Sequence, residues 1–292
     1  MPPGPSGHPD AVTRRLIVNA DDYGLTAGVS AGIRQAQRAG IVTTATVLAN
    51  LPAAQAEVAR ALEQAPALGL GVHLNLTLGA PLQPAARVPS LVDAEGRFRT
   101  RAELFADPED LDPEQVEFEW RAQIEALTSW GVQPDHLDSH HHAAALAAPL
   151  WEICLRLARE LGCGVRRPWP SDEDAATLTE AYSPEARRFA TGPALEALRA
   201  AGVPAPDAFY AGFYGQGATR AHLMALIDGL PEGTSEIMCH PGQADEELQA
   251  RSGYAAARAG ELAVLADAGL RRAVADAGVR LATFRQALGA AA

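Results

Sequence analysis

Short runs of branched apolar residues recur along this chain, and most are followed by an amphipathic stretch of helix length. Leu16–Ala20, Thr43–Ala49, Leu68–Leu76, Asp135–Ser139, Gly164–Arg167, Ser235–Cys239 and Val279–Thr283 read as strands. Several carry apolar residues at successive positions, as strands buried on both faces do. Between them, Thr26 can cap a helix to Ala39 with Gly40 as its stop, and Pro52 stands near the start of another reaching Gln64. Further helices are expected over residues 113–130, 150–161, 219–230 and 255–277. This alternation predicts a parallel sheet with right-handed crossovers, open or closed into a barrel. The expected fold class is therefore α/β. It is barrel-like (β/α), with about seven mostly parallel strands, surrounding helices and two long loop insertions. The insertions are the irregular, proline-containing segments 79–113 and 168–215, and loops of that length need a functional reason.

Composition narrows the partners. The 292 residues carry 36 acidic and 24 basic side chains, a formal net charge of −12. That disfavours duplex nucleic acid or an anionic membrane as the main partner. All of the basic residues are arginine, so Schiff-base lysines and Walker-type phosphate lysines are excluded. Cys154, Cys163 and Cys239 are too few and too widely spaced for a disulfide framework or a zinc ribbon. Reduced thiols and a cytoplasmic location are expected. Residues 1–13 lack the pattern of a signal peptide and read as a disordered lead, and 14–292 as a single domain. No run approaches the roughly 18 apolar residues that span a bilayer. A small molecule is the expected partner, and a homo-oligomer is left open.

The residues able to do chemistry gather at strand ends. Asp21 and Asp22 end the first strand, and His73 lies in the third. Asp138 precedes His140, His141 and His142 at the end of the fourth, and His240 follows the penultimate strand. In a parallel barrel the C-terminal strand ends converge on one face. Taken singly, the aspartates could be a helix cap and the histidine run a solvated loop. Together they suggest a metal site, because a catalytic divalent ion commonly takes three protein ligands and leaves a position for water. A second carboxylate beside the site can then accept the water's proton. In a regular strand Asp21 and Asp22 would face opposite sides, so a turn must bring both to the centre. Arg166 or Arg167, at another strand end, could orient Asp21 or bind substrate; a surface position is the competing reading. Trp169 and the stretch Phe213-Tyr214-Gly215 could stack on a substrate ring or simply pack.

Five blocks resemble the YdjC-like, ChbG-type carbohydrate deacetylases, in family order from about residue 15 to 285. They are Leu16-Ile17-Val18-Asn19-Ala20-Asp21-Asp22-Tyr23-Gly24-Leu25, Gly40-Ile41-Val42-Thr43, Gly71-Val72-His73-Leu74, His136-Leu137-Asp138-Ser139-His140-His141-His142 and Met238-Cys239-His240-Pro241-Gly242. The resemblance implies a barrel-like fold and hydrolysis of the N-acetyl group of an acetylated amino sugar or chito-oligosaccharide. It makes Asp22, His73 and His140 the ligands of one divalent ion, magnesium or zinc, Asp21 the general base and His240 the general acid. It leaves the roles of His141 and His142 open. Where the family commonly continues its triplet with Val-His, this chain has Ala143-Ala144. The alternatives are another metal-dependent barrel hydrolase or sugar isomerase, or a sugar-binding protein that keeps the metal without turnover.

Overall fold

The computed structural model describes residues 14–170 and 182–289, so the lead 1–13 and part of the second expected insertion lie outside the described residues. Its framework is one parallel sheet. In chain order the strands are β1 (Arg14–Tyr23), β2 (Thr44–Val47), β3 (Gly69–Leu74), β4 (His136–Ser139), β5 (Gly164–Val165), β6 (Ala208–Tyr210), β7 (Thr234–Cys239) and β8 (Val279–Leu281). They lie in the order β5-β4-β3-β2-β1-β7-β6, and every pairing is parallel. β7 runs along Arg15–Ala20 of β1, and β8 pairs with Arg14–Leu16. β8 must therefore share the other edge of β1 with β2, which pairs from Asn19 onward.

The sheet curls until its end strands face each other without a ladder. The gap is crossed instead by the Val165 N–H donating to the Pro204 carbonyl at 2.9 Å and by Arg166 Nε donating to Glu236 on β7 at 2.8 Å. The barrel-like architecture expected from the strand–helix alternation is thus present. Among the described residues of segment 168–215 the structure adds two helices, Pro184–Thr191 and Pro193–Ala201, and the strand β6. The three-residue β6, Ala-Phe-Tyr, is too short to signal itself by periodicity. The expected helix 255–277 is two, Ala255–Leu265 and Ala268–Asp276, with Asp267 capping the second. No helix among the described residues is long and apolar enough to cross a membrane.

The interior of the barrel is filled in layers. At the N-terminal mouth the C-terminal helix Phe284–Leu288 closes the floor, with Phe284 stacked flat on His136 at 3.7 Å between ring centroids. The His136 ring fits because β3 carries glycine at Gly71. A Cβ on Gly71 would stand 2.6 Å from both the His136 ring and the His136 carbonyl oxygen. Backbone is not free to yield, so Gly71→Ala is expected to destabilise the fold by about 1–3 kcal/mol as an overpacked core. A urea midpoint equal to wild type would overturn that account.

Candidate metal centre and active site

At the C-terminal mouth β1 departs from strand geometry. Its register against β2 slips between Ala20 and Tyr23, so β1 carries one extra residue there. Asp22 takes the left-handed conformation, φ +69°, and Gly24 follows at φ +91°. Such a bulge re-aims side chains, and it answers the sequence problem of two adjacent aspartates. Asp21 points into the barrel mouth as strand alternation dictates, and the left-handed turn swings Asp22 to the same side. The other non-glycine residues with positive φ among those described are His141 and His142. Backbone strain thus falls on the segments that carry the candidate site.

Asp22, His73 and His140 converge. Asp22 Oδ1 lies 3.0 Å from His140 Nδ1 and 3.4 Å from His73 Nε2, and those two nitrogens are 3.3 Å apart. Donor atoms about 2.0–2.2 Å from a shared ion stand roughly 3.0–3.5 Å from one another, so the triangle has the size of an ion's coordination face. Asp22 Oδ1 is buried and makes no hydrogen bond among the described residues, as a carboxylate oxygen kept for a cation would be. His73 is prepared from behind: its Nδ1 contacts Asp138 Oδ1 at 2.6 Å, which directs Nε2 to the centre. A second group, Asp21, His73 and Asp138, is close enough to bind an ion. Its cation is already supplied by the protein, since Arg166 Nη1 lies 2.8 Å from Asp21 Oδ2 and 3.0 Å from Asp138 Oδ2.

Asp21 is clamped. Arg166 donates from Nη2 to Oδ1 at 2.7 Å and from Nη1 to Oδ2, and Asn19 Nδ2 donates to Oδ1 at 2.9 Å. Burial raises its pKa, but the Arg166 guanidinium outweighs this and holds the carboxyl well below the usual range. Asp21 Oδ2 lies 4.0 Å from His73 Nε2 and 3.9 Å from His240 Nε2. Arg166 is buried; Arg167 instead donates to the Asp207 carbonyl. Burial pushes the His240 imidazole down to about 4, so it is neutral at pH 7. Its backbone N–H is held by Glu261, and its Nδ1 has no hydrogen-bond partner.

Burial lowers the His73 imidazole, but the carboxylates of Asp138 and Asp21 outweigh it and lift the pKa to about 10. At neutral pH the ring is therefore charged, and an ion taken up there would have to displace its proton. Uptake of zinc at pH 7.5 is expected to release about one proton from His73, and affinity to rise about tenfold per pH unit below 10. Calorimetry in buffers of different ionisation enthalpy measures this directly; a buffer-independent heat overturns it. The same raised pKa favours the metal-free fold most below pH 6.5, and that contribution is lost as pH climbs towards 10.

The cleft around these groups holds about 390 Å³. Both sequence insertions border it, through Arg101 of the first and Tyr182, Ala211 and Tyr214 of the second. Tyr214 is 38% exposed and stacks on Tyr254 at 4.3 Å, and both rings present an edge contact to His240. Trp169 is not among the lining residues. It is buried against Tyr182, as Phe213 is buried in the core. His141 and His142 line the cleft, and burial depresses their pKa values to about 2 and 3. His141 Nδ1 contacts Thr77 Oγ1 at 3.0 Å, while the His142 ring packs by its edge on Phe209.

Sequence reasoning missed one flank of the site. Tyr254, Arg258 and Glu261 stand at the i, i+4 and i+7 positions of the helix Ala255–Leu265 and its cap, which share one helix face. Arg258 reaches the centre, where its Nη2 pairs with Asp22 Oδ2, while Tyr254 lines the cleft and donates its hydroxyl to Glu261 at 2.7 Å. Burial raises the Asp22 pKa, but Arg258 and His140 hold the carboxyl well below its usual range.

The known proteins that resemble this chain agree on its kinship. A carbohydrate deacetylase of Geobacillus stearothermophilus is 38% identical over 94% of this chain and 98% of its own. A chitooligosaccharide deacetylase of Klebsiella pneumoniae is 35% identical over 93% and 98%. The crystal structure of an Enterococcus faecalis protein described as a cellobiose-phosphate cleavage protein matches with a TM-score of 0.81 at 32% identity, covering 94% and 98%. A family profile described as YdjC-like protein matches residues 15–276, so the chain belongs to the YdjC-like family.

Proposed function

We propose that this chain, as one domain over residues 14–292, is a metal-dependent carbohydrate deacetylase. It hydrolyses the N-acetyl group of an acetylated amino sugar or chito-oligosaccharide and releases acetate. The observation that carries the reading is the meeting of two devices at one point: the Asp22–His73–His140 triangle, and Asp21 Oδ2 about 4 Å away, ionised and fixed by Arg166. The names of the Geobacillus and Klebsiella relatives support the acetylated-sugar substrate. Asp22, His73 and His140 hold one divalent ion, and two imidazoles favour zinc over magnesium. The bound ion supplies Lewis acidity at the acetamide carbonyl and lowers the pKa of water.

The protein's own groups handle the protons. Asp21 Oδ2 accepts one from the attacking water as the new C–O bond forms. His240, neutral at rest, takes up that proton across the 3.9 Å gap and delivers it to the sugar nitrogen as the C–N bond breaks. The water's second proton, given up as the acid product ionises, is carried away by the amine, so acetate and an ammonium group leave and no net proton is stored. The role of His240 as proton donor thus needs no imidazolium in the resting enzyme. The cysteines are free and buried, which supports a cytoplasmic setting. Incubating zinc-loaded protein with N,N′-diacetylchitobiose and measuring acetate tests the reading. No acetate, with release of a hexose from a phosphorylated disaccharide, would replace it with the cleavage reaction named for the Enterococcus structure.

A further inference from the structure

The strand β7, Thr-Ser-Glu-Ile-Met-Cys, carries a carboxylate at its centre. Glu236 is fully buried and pairs in register with Ile17 of β1 and Phe209 of β6. It is not among the residues lining the cleft. Its Oε1 accepts from Arg166 Nε at 2.8 Å, while Oε2 has no hydrogen-bond partner. Burial pushes the Glu236 carboxyl up, with Arg166 opposing. A buried ion pair is a weak device for stability, since apolar residues of equal volume generally hold a core as well. This guanidinium is moreover surrounded by three carboxylates, Asp21, Asp138 and Glu236, where one would balance its charge.

The arrangement has a geometric use. Arg166 Nη1 is contested, lying 2.8 Å from Asp21 Oδ2 and 3.0 Å from Asp138 Oδ2. Nη2 serves Asp21 Oδ1. The guanidinium is planar and rigid, so its remaining freedom is a swing about the Cδ–Nε bond, with a slide of Nη1 towards Asp138. The bond from Nε to Glu236 blocks both. It thereby fixes the Asp21 oxygen that stands 3.9 Å from His240 Nε2 and 4.0 Å from His73 Nε2. We propose that Glu236 is a positioning residue for the deacetylation: it anchors Arg166 by its Nε–H, so that the Arg166 fork keeps Asp21 Oδ2 aimed between His73 and His240. This rests on Asp21 being the base.

Misplacing a reacting group by about 1 Å can cost about 100-fold in rate. Three zinc-loaded variants test the anchor on N,N′-diacetylchitobiose. Glu236→Leu removes the acceptor. Glu236→Asp keeps the charge but is one methylene too short to reach Nε. Glu236→Gln keeps an acceptor oxygen at full reach. Leu and Asp should lower kcat by about 10–100-fold with KM within threefold and zinc content unchanged, and Gln should recover kcat to within about threefold of wild type. Crystal structures should show Arg166 turned off Asp21 in the Asp variant and in place in the Gln variant. If the Leu variant does not fold, the Asp and Gln pair decides. Wild-type kcat in the Asp variant, or Gln falling as far as Asp, overturns the anchor. Absence of acetate from the wild type instead removes the reading of Asp21, and the two failures are distinct.

Discussion

Asp21→Asn is expected to lower acetate release by about 10²–10⁴-fold, the usual contribution of a general base, while zinc content stays at the wild-type level. The substitution is nearly isosteric and leaves the Asp22–His73–His140 triangle intact. It does turn one Asp21 oxygen into an NH₂ group, which cannot accept from the Arg166 fork. Arg166 still has Asp138 and Glu236 as partners, so no uncompensated charge is left in the interior. Two measurements on one sample decide the matter, bound zinc by elemental analysis and acetate by a coupled assay. Turnover near wild type in the loaded variant removes Asp21 from the role of base.

His73→Ala should give the opposite signature. It deletes one corner of the triangle, and it strands Asp138, whose Oδ1 sits 2.6 Å from His73 Nδ1. Loss of a supporting carboxylate behind a metal-bound histidine typically costs about 10–100-fold in affinity. Loss of the ligand itself should exceed that, with zinc and acetate release disappearing together. Asp138→Asn is the internal comparison. It should weaken zinc by about 10–100-fold and restore turnover when zinc is raised. A His73→Ala protein that holds zinc as tightly as wild type would exclude this ring from the ligand set.

The parts legible in the sequence were those whose signal is local. Runs such as Leu16–Ala20 announce buried strands, and their polar ends point Asp21, Asp22, His73, His140 and His240 to one mouth, where all five line the cleft. The need for a turn at Asp21-Asp22 was also readable, and the bulge with Asp22 at φ +69° meets it. What stayed hidden was non-local. Arg258 and Glu261 sit in an Ala-rich helix, where charged residues ordinarily mark the solvent face. Only the docking of that helix over the end of β1 turns them inward. Their spacing from Tyr254 was a usable signal, but it could not say what the face would meet. Trp169 could be read from the sequence either as a stacking platform or as a packing residue, and it is buried against Tyr182, outside the cleft lining. Glu236 was visible as a charge inside an apolar strand, and its partner Arg166 comes from the far end of the sheet order.

The pairing of β1 has a consequence for how the molecule is made. The strand bearing both aspartates leaves the ribosome before the other strands of its sheet, yet its neighbours along one edge and at its base are β7 and β8, the last two in chain order. Arg15 cannot find Thr234, nor Leu16 find Leu281, until β7 and β8 have been synthesised. Until then β1 offers an apolar edge with only β2 to cover it, the kind of exposed intermediate that aggregates or recruits a chaperone. Folding should accordingly be slow, because its decisive contacts are between distant parts of the chain. A nascent chain released before Thr234 would carry Asp21, Asp22, His73 and His140 but neither the central partner of β1 nor His240. Catalytic competence is thus acquired late and as a whole, when the C-terminal strands close over the oldest one.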